Sequence, residues 1–433
     1  MHLRGWGRPW EPKVILVEVR PVGGFRPARP RQHGDSSPRE IEGEKFYIIE
    51  KMEITANLPG KGLARIEIHK KRIVMVQILG PEVAEKPYVS PGLIDIQLNG
   101  FAGIDFCDAS LDPRRVGSIL PALWKTGVTT FCPTVITNTQ EGLLQCFRAL
   151  EAARRIEPRF AECAPCYHLE GPYISPGGSR GAHNPRVMRP PDWKEFMELQ
   201  EAAGGRIGIV TLAPELPGAL DFIRRARDAG VVVSMGHTDA TPTQIHQGAE
   251  AGAQLNTHLG NGCPQLIDRH QTPIWAQLAL RQLAASLICD GFHLPRDLVQ
   301  VIHRMKGIDG CVLITDAVHV AGLAPGRYKL VGLDIELLPT GQVVMADRHS
   351  MAGSAVSMNR TVKVFMDYAG VSLEEAVQAA TANPSRLLDR FKTCGKVSEG
   401  APANLVLFRV GDDKLEIEKL ILGGEGVYAS AEC

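Results

Sequence analysis

Four residues in this chain have the types and surroundings for metal-assisted hydrolysis. They are Glu170 in "HLEGP", His237 in "MGHTDAT", His258 in "NTHLGNG" and Asp316 in "LITDAVH". Each lies just beyond a short apolar run. Two histidines and one carboxylate make a zinc-type ligand set that leaves a position open for water. A cation held by Glu170, His237 and His258 compensates a carboxylate at a buried strand end, otherwise a costly place for a charge. It also lowers the pKa of bound water towards ~7. Asp316, facing the same point, can take that water's proton and pass it to a leaving group. His183, on the Gly-rich loop "YISPGGSRGAHNP", can reach over the mouth and hold a developing oxyanion. Zinc is the default ion for such a set, and iron, cobalt or manganese can also bind it.

These residues converge only if the intervening chain makes them converge. Eight apolar runs recur: "LIDIQL" (93–98), "VTTFC" (128–132), "PCYHL" (165–169), "IGIVTL" (207–212), "VVVSM" (231–235), "AQLNT" (253–257), "AASLIC" (284–289) and "CVLIT" (311–315). Amphipathic helical stretches separate most of them, as in "LPGALDFIRRARDAG" and "LPRDLVQVIHRMKG". Alternating strands and helices build parallel sheets, and eight units predict an α/β fold, a (β/α)8 barrel of the TIM type. A doubly wound sheet is the competitor, but "PGLIDIQLNGFAG" lacks the early G-x-G-x-x-G. In a barrel the strand C-termini carry the site. Gln97, Asn99, Glu170, His237, His258, Asp290, His293 and Asp316 all lie there. Singly, each has an ordinary reading as a loop or cap residue. Asp239, before "ATPTQIH", reads as a helix N-cap, and His246 and His303 read as helix-surface residues.

The 433 residues suffice for a large core. Lysine plus arginine equals aspartate plus glutamate, 48 of each, so no basic excess points to nucleic acid. No run approaches a membrane span and no signal-peptide core opens the chain. The ten cysteines are scattered. The lone C-x-x-C at Cys163 and Cys166 reads as small residues entering a buried strand. Free thiols suit the cytoplasm. Residues 1–51, rich in Pro, Arg and Gly, read as a disordered extension or as sequence upstream of the true start. Met52 opens a clean strand. Alternating apolar residues in 52–90 and again in 395–433 predict a small β-sandwich made from both ends, with the barrel spanning 91–394.

The phrases "PGLIDIQLNG", "HLEGPYISP…RGAH", "GHTDA", "THLGN", "DGFH", "LITDA", "MAGS" and "ATANPSRLL" resemble the amidohydrolase superfamily. Within it they are similar to the N-acetylglucosamine-6-phosphate deacetylases, from about residue 52 to the C-terminus. The resemblance implies a metal-dependent barrel, usually a homodimer, that removes the N-acetyl group of N-acetylglucosamine 6-phosphate. Acetate and glucosamine 6-phosphate are the products. It makes Glu170, His237 and His258 the metal ligands, Asp316 the general base and acid, and His183 the group polarising the acetyl carbonyl. It places Gln97, Ala182, Asn261 and Gly262 on the substrate. Arg269 and His293 become the phosphate pair, the arginine reaching in from the other subunit. Met351, Ala352 and Gly353 close over the acetyl group.

Two departures qualify this picture. Gln97 and Asn99 stand where many relatives have histidines, and amides are poor ligands, so the sequence predicts one metal. "GNGCP" replaces the usual "NAMP" after His258, which makes phosphate recognition less secure than deacetylation. His270 beside Arg269 is either a second cationic group or a plain loop residue. Alternatives are an amidohydrolase acting on an unphosphorylated N-acetyl sugar or a cyclic amide, and an inactive barrel that binds a sugar phosphate.

Overall fold

The structure, a computed structural model, describes residues 13–18, 39–41, 44–347, 350–388, 391 and 393–431, with side chains from 51 onward. Eight parallel strands form the central sheet. They are β1 (Leu93–Leu98), β2 (Val128–Ile136), β3 (Tyr167–Glu170) and β4 (Ile207–Leu212), then β5 (Val232–Met235), β6 (Leu255–Asn256), β7 (Ala284–Ile288) and β8 (Cys311–Ile314). Each pairs with its sequence neighbour, so the order around the sheet is the order along the chain. All eight runs read from the sequence are strands.

The sheet curls into a barrel, and the seam between β1 and β8 is closed by a few specific bonds. Asp316 N donates to Gln97 O (2.9 Å) and Asn99 N to Ala317 O (2.8 Å). The buried Asp95 carboxylate accepts from the Thr315 hydroxyl (2.5 Å) and the Thr315 amide (3.3 Å). Helices cover the outer face, for example Gln140–Ile156, Ala219–Asp228 and Arg296–Lys306, each with one apolar side against the strands. Inside, Ile94, Ile96, Cys132, Cys166, Ile209 and Val232 pack together, and Leu388 and Phe391 pack against them. Burying one such side chain stabilises by about 1.5–3 kcal/mol.

Both chain ends form one sheet. Its order runs Glu425–Ala429, Leu415–Leu422, Leu405–Val410, Tyr88–Pro91, Glu44–Leu58, Gly62–His69, Arg72–Gly80. Gly62–His69 alternates buried and half-buried residues, as the sequence pattern requires. Ile54, Ile66, Ile73, Val89, Leu405 and Ile421 form its own core. Of the segment 1–51, Lys13–Glu18 and Arg39–Ile41 are strands pairing with Glu44–Leu58. That strand begins before Met52, and the rest of 1–43 lies outside the described residues.

A third sheet is absent from the sequence expectations. Gly326–Leu330, Leu333–Leu337 and Val343–Met345 form an antiparallel meander after β8. Its residues Leu330, Gln342 and Val344 reach the wall of the main cavity.

Candidate active site

The strand ends deliver the predicted residues to one place. Glu170 is the last residue of β3 and is 2% exposed. His237 and His258 follow β5 and β6, and Asp316 follows β8. These three have φ of +49°, +31° and +50°. Left-handed backbone at non-glycine residues costs on the order of 1–3 kcal/mol each and gathers at functional sites. Here the strain turns the chain sharply at the strand end.

Glu170 Oε1 lies 3.2 Å from His237 Nε2 and 3.1 Å from His258 Nε2, and the two nitrogens are 3.1 Å apart. Ligands on a tetrahedral ion with bonds of about 2.0 Å stand about 3.3 Å from one another, so this triangle has the size of one tetrahedral face. His183 also belongs to the cluster: its ligand atom and those of Glu170 and His237 lie within 4.8 Å of one another. We favour the first set because its edges match a coordination sphere. The protonation pattern agrees. His237 Nδ1 donates to Ser179 O (2.9 Å), which in a neutral ring leaves the Nε2 lone pair facing Glu170 Oε1. Lone pair against carboxylate oxygen is repulsive unless a cation stands between them. His258 Nδ1 is buried with no hydrogen-bond partner among the described residues.

The electrostatics follow from burial and proximity. Burial alone would raise the Glu170 pKa, but the neighbouring His237 and His258 hold it well below the usual carboxylate range. Burial, and next the Glu170 charge, push Asp316 up to about 6. Asp316 Oδ1 accepts from Asn99 Nδ2 (2.7 Å) and Gln97 Nε2 (3.2 Å). Burial and neighbouring His237 lower His183 to about 3. Its Nδ1 lies 2.7 Å from the Thr137 hydroxyl, and its ring stands edge-on to His237.

The cluster lines a cavity of about 990 Å³. The sequence pattern of the amidohydrolase family matches residues 88–427. The chain belongs to the amidohydrolase family. The N-acetylglucosamine-6-phosphate deacetylase of Danio rerio is 32% identical over 356 residues, covering 79% of this chain and 85% of that protein. That of Bacillus subtilis is 33% identical over 321 residues, covering 73% and 79%. A solved structure of the Mycobacterium smegmatis deacetylase in complex with N-acetyl-D-glucosamine-6-phosphate superposes with a TM-score of 0.79 at 30% identity. It covers 87% of this chain and 99% of that one.

In this amidohydrolase the other expected residues divide. Ala182, Asn261, Gly262, His293, Met351 and Gly353 line the cavity, and Ala352 is buried behind it. Asn261 Nδ2 is a buried donor without a partner among the described residues. His293 is held by Asp290, whose Oδ2 lies 2.7 Å from Nδ1. Gln97, expected on the substrate, does not line the cavity. Its Nε2 donates to Glu170 (2.9 Å) and Asp316, bracing both carboxylates from below. Arg269 and His270 are exposed and outside the cavity wall. Asp239 is not an N-cap. Thr241 caps Pro242–Ala251 in a capping box with Gln244, because it stands one residue before the helix. Asp239 instead accepts from Ser175, tying the loops after β3 and β5 together. Composition gave no sign of the supports Thr137, Ser179 and Ser286, the last of which accepts from His258 N (2.7 Å). They act through a backbone carbonyl or a plain hydroxyl.

Proposed function

We propose that this chain is a metal-dependent hydrolase that removes the acetyl group from N-acetylglucosamine 6-phosphate, yielding acetate and glucosamine 6-phosphate. The observation that carries the reading is the triangle of Glu170, His237 and His258 with Asp316 beside it on one cavity wall. One divalent ion, zinc by default for this donor set, is held by those three. When bound, such an ion polarises a carbonyl oxygen and acidifies water.

The remaining roles belong to the protein. Asp316 Oδ1 is occupied by two amide donors, so the carboxylate is held in one orientation. With a pKa about 6 it can accept a proton from the attacking water at neutral pH. As water oxygen bonds the acetyl carbon, that proton goes to Asp316 and then to the amine nitrogen as the C–N bond breaks. His183 stays neutral, and with the Thr137 hydroxyl donating to Nδ1, its Nε2–H points a donor at the acetyl oxygen. Met351 and Gly353 bound the acetyl pocket, while Ala182, Asn261, Gly262 and His293 meet the sugar phosphate.

Arg269 completes the phosphate site from a second copy. On the same segment Leu266 is 94% and Trp275 52% exposed, an apolar face for a homodimer. We place the protein in the cytoplasm from its buried free thiols. No helix among the described residues is long and apolar enough to cross a membrane.

Acetate release by zinc-loaded protein tests the reading. Turnover of the phosphorylated sugar far above that of N-acetylglucosamine supports it. Equal rates would favour an unphosphorylated sugar, and no release would favour the inactive barrel.

A further inference from the structure

The cavity wall carries a fixed positive charge. Among the described residues lining it, Glu170, Asp316 and Asp347 are acidic, and Arg180 is the only arginine or lysine. The Arg180 side chain is exposed and has neither a hydrogen bond nor an ion pair among the described residues. Arg189, nine positions along the same loop, is the opposite case. Its guanidinium grips Glu195 with several bonds and also donates to Asn138 O and Val187 O. One arginine is consumed in holding the loop, and the other, on the cavity wall, has no side-chain partner among the described residues.

The backbone determines where Arg180 starts. Its predecessor Ser179 accepts from His237 Nδ1. Its successor Gly181 has φ +56°, and a Cβ there would stand 3.3 Å from the His237 ring. The chain is therefore pressed against His237 on both sides of Arg180, and the side chain is rooted at the rim of the ligand cluster. Arg180 O also accepts from His183 N (3.2 Å), so the same turn sets the His183 position.

We propose that Arg180 is a specificity-determining residue that binds the substrate's 6-phosphate from within the same chain. A guanidinium is always charged and offers a planar fork that matches phosphate oxygens. The cavity supplies no other fixed cation from the described residues, and His293 is engaged by Asp290 on one nitrogen. The assignment rests on the deacetylase reading above. It makes the Gly-rich loop both the support of His237 and the sensor of the phosphate.

The test uses the full-length, zinc-loaded protein with Arg180→Gln and Arg180→Lys. KM and kcat are measured on N-acetylglucosamine 6-phosphate, and kcat/KM on the free sugar. For Arg180→Gln we expect KM for the phosphorylated sugar to rise about 10- to 100-fold while kcat changes by less than about threefold, the scale of one charge-assisted contact. The preference for the phosphorylated over the free sugar should fall by the same factor. Arg180→Lys should recover part of it, and inorganic phosphate should inhibit the parent protein more strongly than Arg180→Gln. An unchanged KM, or equal loss on both sugars, would overturn the assignment and leave Arg180 a support of His237. A parent protein indifferent to the phosphate would instead defeat the deacetylase reading on which the assignment rests.

Discussion

The two ends of the barrel are built on opposite principles. The interior away from the mouth is apolar, with Ile94, Ile209 and Val232 packed against Leu388 and Phe391. The mouth buries Glu170, His183, His237, His258 and Asp316 together. It also holds three of the six described non-glycine residues with positive φ, and the atoms His258 Nδ1 and Asn261 Nδ2, which have no partner among the described residues. Unmet polar atoms and strained backbone both cost stability. They persist at one end because the other end stabilises the whole barrel. Substitutions at the two ends should therefore separate activity from stability.

The largest effect is expected at the mouth. Asp316→Asn should lower kcat by about 10²- to 10⁴-fold while retaining the metal and melting no lower than the parent, because it removes a carboxylate that Glu170 opposes. Loss of the metal along with activity would make Asp316 a ligand instead. In the interior, Ile209→Ala should cost about 2–5 kcal/mol of unfolding free energy, with kcat nearly unchanged well below the melting temperature. A fall in kcat comparable to that of Asp316→Asn would erase the distinction between the ends.

Asp95 at the seam probes the boundary between them. Burial pushes its pKa up to about 7. A raised carboxylate pKa makes its contribution to stability greatest at low pH, lost as pH rises from about 4 through about 7, and constant above. Urea unfolding of the metal-free parent at about pH 5 and pH 8 should show this loss, and Asp95→Asn should reduce the difference. An unchanged difference would mean that Asp95 is ionised throughout. The smallest effect belongs to the periphery. Thr241→Ala, which removes the capping box, should cost about 1 kcal/mol in the same measurement without altering kinetics.

The barrel was legible because its strands are short apolar runs with polar ends and helices between them. The ligand triangle was legible because histidine and glutamate stand out at those ends. Three things were not. β2 runs to Ile136, past "VTTFC", because Pro133 looks like a strand end but sits at a register shift. That extension brings Thr137 under His183. The meander after β8 was hidden because its first turn puts Val331 and Gly332 in left-handed conformations (φ +47° and +80°) without an Asn-Gly signal. Finally, residue type alone could not decide between Gln97 facing a ligand and Gln97 bracing two carboxylates. Only the contacts of Gln97 Nε2 with Glu170 and Asp316 decide it.

The central claim is that Glu170, His237 and His258 gather around one divalent ion. An anomalous difference map collected at the zinc edge on crystals of the loaded protein tests it most directly. A single peak is expected at coordination distance, about 2 Å, from Glu170 Oε1 and from Nε2 of both histidines. Two peaks, or one peak bound elsewhere while the protein remains active, would contradict it.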